Sequence, residues 1–136
     1  MADSFVLQIS TPEKEFYKGD CESLIIKTIE GEMGILPGHM LMVVALDIAP
    51  IRFKAKDDDE WFEAAVLGGF AQIKGDHVDI LADTAEWPED IEVARAMEAK
   101  RRAEERLQSH TNDVEYYRSE LAKRRALARL QVVNRI

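Results

Sequence analysis

Three histidines, one cysteine, an acidic run and a basic cluster are the side chains with the most chemistry to offer in this chain. His39, His77 and His110 stand far apart, with no cysteine or second histidine at the short spacings that hold zinc, so a metal finds little here. Cys21 lies between Asp20 and Glu22, whose charges raise a thiol pKa, which argues against a nucleophile. As a lone cysteine it forms no internal disulfide, which suits a reducing compartment. The run Asp57-Asp58-Asp59-Glu60 has charge enough for a cation but lacks the spacing of a calcium loop, and reads as a solvated hairpin tip.

Two groups survive this sorting. In Glu30 to His39, Gly31 and Gly34 permit tight turns, Pro37 fixes the chain, and Glu32 and His39 remain available to polar groups of a partner. The bland alternative is that the glycines only shape turns and His39 is solvated. Lys123-Arg124-Arg125 with Arg129 forms the second group, and a charge run on a helix is usually a solvated face. A pair such as Glu120 with Arg124 would then add only ~0.3 to 0.5 kcal/mol.

These groups must be placed by two unlike regions. Before Pro88 short β-type runs alternate with glycines and acidic turns; after it there is neither Gly nor Pro. Residues 1–87 hold seven Lys+Arg against seventeen Asp+Glu, a net of −10, while residues 88–136 hold eleven against nine, a net of +2. The acidic region is a poor partner for nucleic acid, which needs clustered cations. No apolar run approaches the ~20 residues of a membrane-spanning helix, and the first residues lack the basic start and apolar stretch of an export signal.

In residues 1–87 the apolar period is two. Phe5-Leu7-Ile9, Ile51-Phe53, Phe62-Ala64-Val66 and Val78-Ile80 read as half-buried antiparallel strands, and Leu24-Ile25-Ile26 and Val66-Leu67 as runs buried on both sides. Turn residues near Gly19, Gly31, Asp58 and Gly75 separate them, so the fold class is α+β: an antiparallel β-sandwich of about eight to ten strands by the turn count, followed by helices. Gly68-Gly69 inside a strand-like run marks a bulge or a close backbone approach. Trp61 and Trp87 are expected to be core or interface anchors.

Residues 88–136 read as an antiparallel helical hairpin. Pro88 suits a first helical turn, with Glu89, Asp90 and Glu92 at the positive end of the dipole; the first helix runs through Leu107, and Asn112 or Asp113 caps a second that continues to about Val133. Helical spacing gives an apolar stripe of Ala96, Ala99, Ala103 and Leu107 on one arm and Val114, Tyr117, Leu121 and Ala128 on the other. Small side chains bury little area, at ~25 cal/mol per Å², so the hairpin is expected to dock marginally and to be able to move.

The stretch from Glu30-Gly31-Glu32-Met33-Gly34-Ile35-Leu36-Pro37-Gly38-His39, with Leu67-Gly68-Gly69-Phe70, Leu81-Ala82-Asp83-Thr84-Ala85 and Ala94-Arg95-Ala96-Met97-Glu98-Ala99-Lys100, resembles the epsilon subunits of bacterial F-type ATP synthases, in order and over essentially the whole chain. The resemblance implies a non-catalytic subunit of the central stalk that clamps the gamma subunit to the c-ring. It also implies a hairpin that can leave the sandwich, extend toward the alpha and beta subunits and inhibit ATP hydrolysis. The location implied is peripheral, at the cytoplasmic face of the bacterial inner membrane, without direct membrane insertion.

The resemblance also implies roles for particular residues. Glu32, Met33, Ile35, Leu36 and His39 would lie at the interface with gamma and the c-ring, and Lys123, Arg124, Arg125 and Arg129 would meet acidic residues of the beta subunits. Some members bind regulatory ATP through a motif running Ile or Leu, Asp, two variable residues, Arg, Ala, matched here at Ile91, Glu92, Val93, Ala94, Arg95 and Ala96 with Glu replacing Asp. The extra methylene displaces the carboxylate, so the reading that no cofactor is bound, with Glu92 a helix-start acid and Arg95 its surface neighbour, stands beside the ATP site. A stand-alone regulatory adaptor, with the sandwich on one partner and the hairpin on another, is the alternative function.

Overall fold

Long strands that bend are what make one core of the acidic region. The computed structural model describes residues 3–109 and 111–134, so His110 lies outside the described residues. Strands β1 (Phe5–Ser10), β2 (Glu15–Thr28), β3 (Gly31–Ile35), β4 (Met42–Ala55), β5 (Trp61–Ile73), β6 (His77–Ala82) and β7 (Ala85–Glu86) precede helices α1 (Val93–Gln108) and α2 (Asp113–Val132). Among the described residues there are seven strands rather than about eight to ten, because β2, β4 and β5 run for 13 or 14 residues where the change of pattern along the sequence suggested separate elements. The order is β1-β6-β5-β4-β2-β3, and β1 also pairs with β2, so the sheet closes on itself around shared contents. One pairing departs from the expected antiparallel scheme: β1 runs parallel to β6.

The long β4–β5 ribbon changes faces halfway. Met42, Val44 and Leu46 of β4, with Ala71 and Ile73 of β5, point to the main core; beyond the middle it is Ile51 and Phe53, with Ala64 and Val66, that do so. A strand alternates strictly, so odd and even positions can exchange only through a break in regular backbone. Gly68 and Gly69 provide it, with φ of +92° and +122°. At Gly69 a Cβ would also collide with the backbone of Leu81 and Ala82, so the doublet is both irregularity and close approach.

The exchange has a structural product. In the second half of the ribbon the outward positions are Ala65 and Leu67, and α2 covers them: these two with Ala128 and Val132 form a second, small core against which Ile48, Ile91 and Val133 pack. Val66 and Leu67 are thus buried on both sides, as expected, but the second cover is a helix. The main core is larger and holds Phe5, Leu7, Leu24, Ile26, Phe53 and Ile80 among others.

The hairpin begins later than the proline suggested. Pro88–Asp90 is a single 3-10 turn, Ile91 and Glu92 are extended, and α1 starts at Val93. Pro88 does open a helical turn, but one that ends before α1. Asn112 caps α2 as expected, its side chain accepting from the Glu115 amide at 2.9 Å.

Two of the expected stripe residues do not pack. Ala96 and Ala103 are buried and Leu121 half-buried, but Val114 and Tyr117 are exposed. Helix α2 instead buries Ser119, Ala126, Ala128, Leu130 and Val132, because it lies between α1 and the sheet and needs an apolar surface toward each. Ala126 and Leu130 form one stripe at i, i+4, and Ala128 and Val132 the other. Trp87 fulfils its role as an anchor, whereas Trp61 is largely exposed with the Arg52 guanidinium 5.9 Å from its ring.

Candidate functional site

The loop after β3 is held in place mainly by backbone bonds. Thr28 Oγ1, buried, donates to the Gly31 carbonyl at 3.0 Å and accepts from the Glu30 amide at 3.1 Å, which sets the turn into β3. Further on, the Gly38 amide donates to the Gly75 carbonyl at 3.2 Å and so ties the loop to the β5–β6 turn. On this frame Glu32 and Leu36 are exposed, Met33 and His39 half-buried, and Ile35 fully buried in the main core. Ile35 therefore supports the loop from inside, and its side chain does not face a partner. His39 Nδ1 lies 3.2 Å from the Met40 carbonyl, a local contact within the loop.

Sequence reasoning missed the apolar neighbours of this loop. Met40, Leu41 and Val43 are exposed, and so are Phe70 and Leu81, which stand in register with each other and with Ala45 across β4, β5 and β6. The signal was available in Met40 to Leu46, where both alternating sets are apolar although only one set can face the core.

The four candidate cations are not one patch. Lys123 Nζ lies 3.9 Å from Glu104 of α1, Arg124 lies 3.5 Å from Glu120 and 4.0 Å from Asp47 of β4, and Arg129 Nε donates to Glu86 of β7 at 2.7 Å. Arg125 makes no ion pair among the described residues and faces the groove beside Asp83 and Thr84. The 120/124 pair anticipated from the sequence forms; the long-range partners Asp47 and Glu86 could not be read from local spacing.

The nucleotide candidates Ile91, Glu92 and Arg95 do meet, in a cleft of 370 Å³ that Glu86, Asp90 and Arg129 also line. Three carboxylates thus stand among two guanidiniums, one of which is already bonded to Glu86. Glu92 occupies the position just before α1, but its side chain makes no capping bond.

Elsewhere the titratable groups look structural. Burial pushes the Cys21 thiol up to about 11 and the Tyr17 phenol up to about 12, which leaves Cys21 without nucleophilic character. Burial also opposes the Asp79 charge, but hydrogen bonds from Lys74 at 3.1 Å and His77 at 2.7 Å hold that carboxyl below its ordinary range. On the surface Lys54 bonds Glu22 at 2.6 Å, lowering the acid's pKa and raising its own. The Asp57–Glu60 run turns the chain between β4 and β5, with Asp57 at φ +61°.

Residues 4–88 match the family described as ATP synthase, Delta/Epsilon chain, beta-sandwich domain, and residues 89–134 that described as ATP synthase, Delta/Epsilon chain, long alpha-helix domain. The chain is 48% identical over 109 residues to the ATP synthase epsilon chain of Alkaliphilus oremlandii, covering 80% of each. To that of Alkaliphilus metalliredigens it is 49% identical over 108 residues, 79% of each. A chain in the cryo-EM structure of the Euglena gracilis mitochondrial ATP synthase, OSCP/F1/c-ring, superimposes with a TM-score of 0.84 at 22% identity, over 94% of this chain and 80% of that one, and so has the same fold.

Proposed function

This chain belongs to the ATP synthase delta/epsilon chain family, and on that premise we propose that it is a non-catalytic rotor subunit of the central stalk that joins gamma to the c-ring and restrains ATP hydrolysis through its hairpin. What carries this reading is that the likeness to epsilon chains runs through both the sandwich and the hairpin, at 48% identity over 80% of the chain.

The geometry supports a division of labour. A connector that bears torque must not deform, and a closed sheet around interlocked aliphatic and aromatic side chains is stiff. Its partner surface is the loop presenting Glu32, Leu36 and His39, continued by Met40, Leu41 and Val43. Apolar area of this kind, rimmed by polar groups, is what a protein interface covers. No helix among the described residues is long and apolar enough to cross a membrane, and we place the chain peripherally, at the cytoplasmic face of the inner membrane.

The hairpin serves regulation. When it extends, Lys123, Arg124, Arg125 and Arg129 meet acidic residues of the beta subunits, whereas its docked form ties Arg129 to Glu86 and brings Arg124 to 4.0 Å from Asp47. We assign no cofactor to the cleft around Ile91, Glu92 and Arg95: with carboxylates outnumbering guanidiniums it repels a polyphosphate, and the Glu92 side chain is longer than the aspartate of the nucleotide motif. Calorimetry with ATP checks this, and saturable binding at millimolar affinity or tighter would reverse it.

The decisive measurement is ATP hydrolysis by the catalytic complex assembled with the full chain or with a chain ended after Trp87. The full chain should lower the rate and the shortened one should not. Equal rates would remove the inhibitory role, and failure of the chain to co-purify with gamma and the c-ring would remove the stalk role.

A further inference from the structure

The chain leaves the sandwich through residues whose surroundings differ sharply from one to the next. Glu86 is the last residue of β7; Trp87 follows, stacked on Phe16 at 4.4 Å between ring centroids, with Tyr17, Phe53 and Phe62 around it at 6.2 to 6.5 Å. Aromatic contacts of this geometry hold a side chain firmly, so Trp87 belongs mechanically to the sandwich. Immediately beyond, Pro88–Asp90 makes one short turn, and Ile91 (φ −90°, ψ 124°) and Glu92 (φ −82°, ψ 105°) are extended before α1 begins. A few residues between two helical segments, with no buried residue in the turn, are where backbone rotation meets least resistance.

What keeps the hairpin down is equally local. The apolar seam beneath α2 has only four buried residues, Ala65, Leu67, Ala128 and Val132, two of them alanines with little area to contribute, with Ile48, Ile91 and Val133 half-buried at its margin. Beside it Arg129 donates to Glu86 at 2.7 Å, with both side chains about seven-tenths covered (28% and 30% exposed), and Arg124 approaches Asp47 at 4.0 Å. Asp47 is itself fixed by accepting the Ile48 amide at 2.9 Å. A charge-assisted hydrogen bond away from full solvent is a strong one, and here it crosses directly over the joint.

We propose that the hairpin is held by a charge latch, Arg129 on Glu86 with Arg124 on Asp47 as its weaker second point, and swings about a pivot just after the clamped Trp87. The proposal rests on the movable hairpin of the preceding section and names what fastens it. It has one further consequence: two of the four cations assigned to inhibition, Arg124 and Arg129, also fasten the docked form. Docking and inhibition then compete for these two charges.

The experiment uses the full chain carrying Ala65→Cys, which puts a thiol on β5 under α2; native Cys21, fully buried in the main core, serves as the internal control for global unfolding. The labelling rate of the thiol at position 65 reports undocking. In this background Glu86→Gln and Arg129→Gln should each speed labelling roughly three- to tenfold at low ionic strength, while Cys21 stays slow. The difference should shrink near 1 M salt, where the screening length is only ~3 Å. Exchanging the charges with Glu86→Arg and Arg129→Glu together should recover most of the slow labelling. With Trp61→Phe added so that Trp87 is the sole tryptophan, its emission should not change as labelling accelerates. Unchanged labelling in both single variants would overturn the latch, and a red shift of Trp87 emission on opening would overturn the pivot. Faster labelling with undiminished salt sensitivity would also overturn the latch, since the sensitive charges would lie elsewhere. Carried into the catalytic complex with Glu86→Gln, which leaves every cation assigned to inhibition in place, faster labelling without altered hydrolysis would support the latch and sink the inhibitory role; unchanged labelling would sink the latch and leave that role standing.

Discussion

The sandwich and the hairpin are built by the same rules of burial and yet hold together very differently. Phe5, Leu7, Leu24, Ile26, Phe53 and Ile80 meet in a closed sheet whose neighbours in space are far apart in sequence. The hairpin offers Ala96, Ala103, Ala126, Ala128, Leu130 and Val132, split between two surfaces, and touches the sheet through a seam of four buried residues. Stiffness and looseness here are consequences of side-chain size and of how many surfaces share it. If that is right, large-to-small changes in the first region should unfold the protein, and changes in the second should only free an arm. Phe53→Ala should be the most damaging, costing roughly 4 kcal/mol because the ring is fully buried and its neighbours cannot collapse into the space. Chemical denaturation followed by far-UV signal checks it, and a loss below about 1 kcal/mol would mean that the main core is not the rigid body supposed.

Gly69→Ala sharpens the contrast from the backbone side. At φ +122° with the Leu81 carbonyl against the missing Cβ, a methyl group cannot be accommodated without moving β6. About 3 kcal/mol is expected, from strain plus steric displacement, and the damage should reach both regions because the doublet sets which face of β5 meets α2. Urea unfolding of this variant, together with thiol labelling under α2, would show whether the two losses occur together.

Much of this was legible from local sequence. The period-two runs, the Gly68-Gly69 break and the Asn112 cap are governed by neighbours a few residues away, and each stands where its pattern put it. The misses are nonlocal. Val114 and Tyr117 fit a helical stripe, but they stand in the first turns of α2 and are exposed, whereas its buried residues run from Ser119 to Val132. Counting turns overestimated the strands because a bend and a strand end leave the same mark in the sequence. Of the candidate site, Ile91, Glu92 and Arg95, which the family resemblance grouped, line one cleft, whereas Arg129 and Glu86 are separated by 43 positions and only the docked hairpin joins them.

A smaller effect should be confined to the hairpin. Ala103 is fully buried between the helices, and Ala103→Leu forces them apart at a cost of about 1 to 2 kcal/mol. The main core should not register it: Cys21 should stay as unreactive as before while α2 amides exchange faster. Equal acceleration at both places would make the two regions one cooperative unit and break the comparison.

The smallest effect tests whether the outer face of α1 contributes at all. Arg101 grips Glu98 with two bonds of 2.7 and 3.0 Å, Arg102 adds a third at 3.1 Å, and together they push the carboxyl from 4.5 down to about 2. A group whose pKa is lower in the folded than in the unfolded chain stabilises above its unfolded value and ceases to do so as pH falls through its folded one. The contribution should thus be present at neutral pH and disappear between about pH 4.5 and pH 2. Because the group is exposed and screened, the effect should be slight and should fade in salt. The check is the difference in thermal stability between the native chain and Glu98→Gln followed down in pH: it should be positive at pH 6 and fall to nothing near pH 2. A difference that stays constant with pH would show that glutamine changes α1 through helix propensity alone, and that the ion pairs on this arm are passengers.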